Sequence, residues 1–227
     1  MKHELRWCAD IGMLAFDRPI NDLPGTGIKG SCTHRTSFCN ATCYNMKLYK
    51  LYKNMSKRDV RCEQWWQQIT GTEVASVLSK LSKTRDTSRV RFMTRGEALK
   101  DAWDIARVKD ICTACPGTLF WLPTRAWRNV SLRTIIEQEL MPLPNLALNA
   151  SLDPSNTDAE WKSLISTGWS TMFYGDNSRA KTPNGQRTFQ CPKTFKQLSG
   201  HCLSCKAGCL GSRTTYSRRT DVLLKKH

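Results

Sequence analysis

Cys32, Cys39 and Cys43 lie close together on one short stretch that begins at Gly30 and Ser31. Thiolates are soft donors suited to zinc and to iron–sulfur centres. Three of them on a short loop can wrap a 4Fe-4S cubane and leave one iron without a protein ligand. An open coordination position is what lets a metal site do chemistry. A zinc site completed by His34 is the alternative, although the six-residue gap before Cys39 is wider than zinc knuckles commonly use. A second set, Cys191, Cys202, Cys205 and Cys209, supplies four thiolates. Four can close a second 4Fe-4S cluster or a tetrahedral zinc site, with Gly200 and Gly208 letting the backbone turn. Full ligation there points to structure or electron transfer. Cys112 and Cys115 read as buried, inert thiols, and Cys8 and Cys62 have no partner by spacing.

Eleven cysteines, an odd number, fall mainly in clusters, and the start of the chain lacks the apolar stretch of an export signal. That pattern argues against a disulfide framework and for the cytoplasm. No apolar run approaches the length needed to cross a membrane. The chain has 227 residues, 40% hydrophobic and 24% charged, enough for a sizeable core. Its net charge of +16 calls for an anionic partner, and nucleic acid, DNA or RNA, is the leading candidate. The expected phosphate contacts are Lys47, Lys50, Lys53, Lys57 and Arg58 on one helix, with Arg218 and Arg219 in the tail. Tyr49, Tyr52 and Tyr216 lie among them and can stack bases. Trp65, Trp66 and Trp161 read as core or interface residues.

The elements that must position these residues are legible in part. Residues 1–31 read as an extended lead-in broken by Pro19, Pro24, Gly25 and Gly27. Tyr44, Leu48, Leu51, Tyr52 and Met55 recur at helical spacing, as do Val74, Val77, Leu78 and Leu81. From Val90 the pattern alternates. Strands are expected at 90–94, 119–122, 146–151 and 170–174, with helices near 99–106, 130–140 and 158–165. Such alternation implies right-handed βαβ units and a parallel sheet, open or closed into a barrel, with its active edge at the carboxyl ends of the strands. The expected organisation is an α/β unit over 1–186, with a cluster loop at 30–44, and a cysteine-rich metal-binding appendage with a basic tail over 187–227.

The order of these segments resembles a radical S-adenosylmethionine enzyme. That superfamily has a three-cysteine loop after its first barrel strand and a Gly-Gly-Glu-Pro turn after its second. Here Thr94-Arg95-Gly96-Glu97-Ala98 is similar to that turn, and Asn149-Ala150-Ser151-Leu152-Asp153 is similar to a later cofactor-side ending. Arg95 and Ala98 depart from the pattern, as do the longer gaps between the cysteines. More closely, the cysteine loop followed by Tyr44-Asn45, with the later strands, resembles the phage and plasmid gene product 88 family, of unassigned activity. The resemblance implies a partial (βα) barrel and a radical S-adenosylmethionine type of enzyme in a bacterial host cytoplasm. It implies S-adenosylmethionine at the open iron, with Gly96 and Glu97 receiving its amino group and Ser151 and Asp153 its ribose. It also implies an electron donor and a radical that takes hydrogen from the substrate. The contrasting expectation is a non-catalytic nucleic-acid-binding protein, a replication or host-takeover factor, with structural iron–sulfur or zinc sites.

Overall fold

The computed structural model describes residues 3–52, 54–175, 179–195, 202, 205, 209 and 221–225. Strand β1 (Arg6–Cys8) turns through Gly12 into the antiparallel β2 (Met13–Ala15). Four helices follow: α1 (Ser37–Thr42), α2 (Tyr44–Leu51), α3 (Met55–Gln68) and α4 (Gly71–Leu81). Strand and helix then alternate as β3 (Arg89–Arg91), α5 (Ala102–Ala114), β4 (Leu119–Thr124), α6 (Val130–Glu139), β5 (Leu146–Leu152), α7 (Asp158–Ser166) and β6 (Ser170–Gly175). The described chain ends with β7 (Phe189–Gln190), the short α8 (Pro192–Phe195) and β8 (Asp221–Lys225).

These strands make one mixed but mostly parallel sheet, ordered β1-β2-β3-β4-β5-β6-β8-β7. Every pairing except β1 with β2 is parallel. The register runs Leu14, Val90, Phe120, Leu146 from strand to strand. Those residues point to one face, where they meet Val74, Ile105, Ile136 and Leu164 of the helices. Phe16, Phe92 and Phe120 stack there with centroids 5.2 and 5.0 Å apart. The other face presents Met13, Ala15, Trp121, Ala147, Met172 and Val222, and Cys191, Cys202 and Cys209 pack on it. With both faces covered, strands read as continuous apolar runs rather than alternations.

The structure departs from the sequence expectations in several places, and the one helix expected to carry Lys47 to Arg58 is two, α2 and α3. Residues 6–15 form a hairpin rather than an extended lead-in; its strands are three residues each, and β2 is buried on both faces, so no period of two is visible. The polar stretch 55–68 is a helix whose buried positions include Asp59 and Glu63 beside Trp65 and Trp66. Charged residues on a buried face hide an amphipathic pattern. Of the described residues beyond 187, β8 enters the sheet between β6 and β7 and pairs with both.

Arg18, fully buried just past β2, ties the layers together. Its Nε and Nη2 donate to the two oxygens of Glu63 on α3, each at 2.7 Å, and Nη1 donates to Asp104 on α5, also at 2.7 Å. Nη1 also reaches the carbonyls of Glu97 and Ala98 at 3.3 Å. A buried ion pair is most costly when one partner is removed, because the other charge is left unpaired. Replacing Arg18 with Met is expected to lower the unfolding free energy by about 3–5 kcal/mol in urea titrations. A loss under about 1 kcal/mol, the range of exposed pairs, would show that this triad does not hold the layers.

Candidate metal centre and adjoining chamber

The parallel strands bring their carboxyl ends to one edge, and the candidate residues gather there. Cys32 follows β2. The turn at 94–97 follows β3, Arg125 follows β4, and Ser151 and Asp153 end β5. The cysteine loop is partly helical. Thr36 caps α1 by accepting from Cys39 N–H at 2.9 Å, which places Cys39 within α1. Cys43, four residues on, sits at the joint of α1 and α2 with an extended ψ of 109°. Residues four apart on a helix lie on neighbouring surface.

Cys32, Cys39 and Cys43 are near enough to influence one another. Burial, the Glu97 carboxylate and the other two cysteines push the Cys32 thiol up to about 12. Burial also raises the Cys39 thiol, and the Arg125 guanidinium beside it pulls the other way. No group of three or more His, Cys, Asp or Glu side chains among the described residues could hold a single metal ion. One ion gathers its thiolates around a single point, whereas each thiolate of a cubane binds a different iron. His34 is tied elsewhere, with Nε2 3.2 Å from the carbonyl of Lys100.

Gly96 locks the 94–97 turn against this loop. Its φ is +79°, and a Cβ there would come within 2.6 Å of Ser31 Oγ and 2.7 Å of the Arg18 carbonyl. Only glycine tolerates both conditions. Ser31 Oγ accepts from Glu97 N–H at 2.9 Å and donates to the Pro19 carbonyl at 2.7 Å. The Glu97 carboxylate turns inward. It accepts from Leu99 N–H, Thr124 Oγ1 and Arg125 N–H at 3.2, 2.9 and 2.9 Å, bracing the ends of β3 and β4. Burial raises its pKa despite those donors. With three protein donors in place, its capacity for an external ammonium is largely taken.

Asp153 is a second brace. It is fully buried, accepts from Thr36 Oγ1 at 2.6 Å, and pairs with Arg125 Nη1 at 2.8 Å. Ser155 donates to its other oxygen from N–H at 3.0 Å and Oγ at 2.6 Å. Burial pushes this carboxyl up, but the hydrogen bonds from Ser155 and Thr36 and the Arg125 charge outweigh it and hold the pKa below the ordinary value. Arg125 thus links Asp153, the Ser151 carbonyl and Cys39.

Two cavities open beside these groups. One, of about 430 Å³, is lined by Cys39, Cys43 and Arg125. The other, of about 650 Å³, runs over the sheet face from Ser151 to Cys191, Cys202, Cys205 and Cys209. Asp10, Arg125, Tyr174 and Lys193 line both, so the two cysteine sets flank adjoining space. The thiols of the second set also affect one another: burial and the three others raise Cys209 to about 12. Cys8, which had no partner by spacing, lies on the same face and lines the same chamber. Arg91 stacks on Trp121, 4.3 Å from its centroid, and burial lowers its pKa against the opposing pull of Cys202 and Cys8.

The family profile described as gene product 88 matches residues 12–218. The chain belongs to the gene product 88 family. No curated protein and no solved structure matches it. The match spans both cysteine sets, the 94–97 turn and the strands β2 to β7, while Cys8 and Asp10 of the chamber lie before it.

The remaining expected residues fall differently. Lys47 and Lys57 are exposed beside Leu51 and Tyr52, which are 70% and 60% exposed. Arg58 instead lines the chamber, 3.1 Å from Asp17. Tyr49 donates to Asp59 and is committed to that network. Lys53, Arg218, Arg219 and Tyr216, with the side chain of Lys50, lie outside the described residues. Cys112 and Cys115 are buried, and Asn145 donates to both of their carbonyls. No helix among the described residues is long and apolar enough to cross a membrane. The sequence alone presents Arg95 only as a departure from a motif and Ser31 only as a loop residue, and it carries no local signal for Thr36 or Arg125, whose roles depend on partners far along the chain.

Asp153→Asn should cost about 1.5–3 kcal/mol, as expected for hydrogen bonds to a charged group. A depressed carboxyl contributes stability that is fully present above its unfolded pKa and is lost as pH falls through the folded value. The gap between wild type and variant should therefore persist above pH ~4 and close below it. A gap independent of pH in urea titrations would show that the Asp153 charge is not what holds α1 to Arg125.

Proposed function

We propose that this chain is a phage-type iron–sulfur protein with a radical S-adenosylmethionine-like partial barrel, acting on or with nucleic acid in the cytoplasm. The supporting observation is the gathering of Cys32, Cys39 and Cys43 with Gly96, Glu97, Arg125 and Ser151 at the carboxyl ends of consecutive parallel strands. In chain-order parallel sheets that edge is where ligands bind. Strands added one after another through right-handed crossovers keep their helices on one face and curl the sheet around the other, as a partial barrel requires.

The donor set suits the proposed cofactor. Cys32, Cys39 and Cys43 would hold a 4Fe-4S cluster, while Cys191, Cys202, Cys205 and Cys209 would hold a second cluster or zinc. When bound, the first would supply one-electron reduction and an open iron for S-adenosylmethionine. Arg125 beside Cys39 would offset negative charge at the cluster. Gly96 and Ser31 would keep the turn and the cysteine loop in fixed register. Glu97 and Asp153 would act mainly as braces, leaving backbone groups of the turn and the Ser151 side chain to meet the cofactor.

Protein purified anaerobically is expected to contain iron and sulfide, and Cys32→Ser, Cys39→Ser and Cys43→Ser each to lose the first cluster's share. With dithionite and S-adenosylmethionine, wild type should form 5′-deoxyadenosine. Iron without 5′-deoxyadenosine or cofactor binding would sink the enzyme reading alone; zinc without iron would sink the cluster reading.

One observation favours a non-catalytic nucleic-acid-binding protein: Lys47, Tyr52 and Lys57 are all exposed within a short stretch of chain, where they would offer stacking and phosphate contacts. Nucleic-acid affinity should then fall with salt, by about 0.7 in log–log slope per phosphate contact on a single strand. Lys47→Ala and Lys57→Ala should each flatten the slope by about one contact. A slope near zero in wild type would remove phosphate contact altogether.

A further inference from the structure

We propose that the chamber of about 650 Å³ takes a phosphate-bearing substrate, its phosphate received by Arg95 and Arg58. The proposal rests on the reading of this chamber as the functional site and adds the chemical class of what enters it.

Arg95 is only 5% exposed and lines the chamber. One end of its guanidinium is engaged: Nη2 donates to Asp59 and stands 3.7 Å from Asp17 Oδ2. Its Nε is buried and has no hydrogen-bond partner among the described residues. Arg58 Nη2 is in the same condition; it lies 3.1 Å from Asp17 Oδ2 but out of hydrogen-bonding line. Buried N–H groups on a guanidinium are rarely left without an acceptor, so two of them on residues that line one cavity mark a neighbourhood where an acceptor belongs.

The local charge has the same sign. Asp17 and Asp59 face three guanidiniums, those of Arg6, Arg58 and Arg95. Arg91 stands on the same chamber wall over Trp121 without a carboxylate partner in hydrogen-bonding range among the described residues. The unpartnered donors come from two different elements, α3 and the 94–97 turn. A planar carboxylate is matched by a single guanidinium fork, whereas a tetrahedral phosphate accepts from several directions at once. Away from the arginines the wall is apolar, with Leu48, Met55, Met172 and Leu224, which suits an organic body attached to the phosphate.

The test is calorimetric titration of the anaerobically purified full chain with inorganic pyrophosphate, with malonate as the carboxylate comparator. Saturable pyrophosphate binding is expected, with malonate about tenfold weaker or more. Arg95→Lys and Arg58→Lys keep the charge but lose the fork, and each should weaken pyrophosphate about tenfold while iron content stays at the wild-type level. In wild type, pyrophosphate should also slow phenylglyoxal modification of Arg58 and Arg95, a readout that needs no variant to fold. Absence of saturable binding, equal affinity for malonate, unchanged binding in both folded variants, or unslowed modification would each overturn the proposal. Iron-loaded protein that ignores pyrophosphate refutes the phosphate site and leaves the cluster standing. Iron-free protein that binds it does the reverse.

Discussion

The buried guanidinium of Arg18 is the constraint on which the site depends. It sits where β2 ends and the path to Cys32 begins, and its three nitrogens donate to α3, α5 and the carbonyls of Glu97 and Ala98. A charge taken fully out of water must be matched by partners in fixed places. Once Glu63 and Asp104 are fixed, the 94–97 turn has one position against the cysteine loop. Gly96 then admits the close approach, because its missing Cβ leaves room for Ser31 and the Arg18 carbonyl.

From that anchor a chain of polar contacts runs across the strand ends. Ser31 reaches Glu97, Glu97 reaches Thr124 and Arg125, and Arg125 reaches Asp153, which holds the Thr36 cap of α1. Each link joins residues far apart in sequence, and nearly every member is buried. Hydrogen bonds are stronger electrostatically in such surroundings, and a missing partner is correspondingly costly. The network explains why acidic residues that a motif would assign to a ligand are directed into the protein. Their work is to fix the loop that carries Cys32, Cys39 and Cys43.

The second polar layer is different in kind. Around Asp17 and Asp59 the guanidiniums outnumber the carboxylates, and donors on Arg58 and Arg95 are left over. A saturated network belongs to structure; an unsaturated one facing a cavity belongs to binding. Every guanidinium nitrogen of Arg18 has a hydrogen-bond partner, whereas Arg95 Nε has none among the described residues.

Chain-local patterns were legible in the sequence. Cysteine spacing singled out the two sets, and apolar runs with helical periods located β4, β5, β6, α4, α6 and α7 closely, because those elements bury ordinary hydrophobic residues, whereas α5 runs later than the expected 99–106. The hairpin of β1 and β2 was not legible, since both strands are three residues long and β2 is buried on both faces, so no period shows. Helix α3 was hidden because its inward face carries Asp59 and Glu63, whose burial depends on Arg95 and Arg18 arriving from elsewhere. Tertiary structure alone decided that Arg58 turns into the chamber, that Cys8 joins the face of the second cysteine set, and that β8 enters the main sheet. The reason is common to all three. Periodicity records which side chains avoid water, whereas the partner that makes a buried charge or a distant strand acceptable is chosen by the fold.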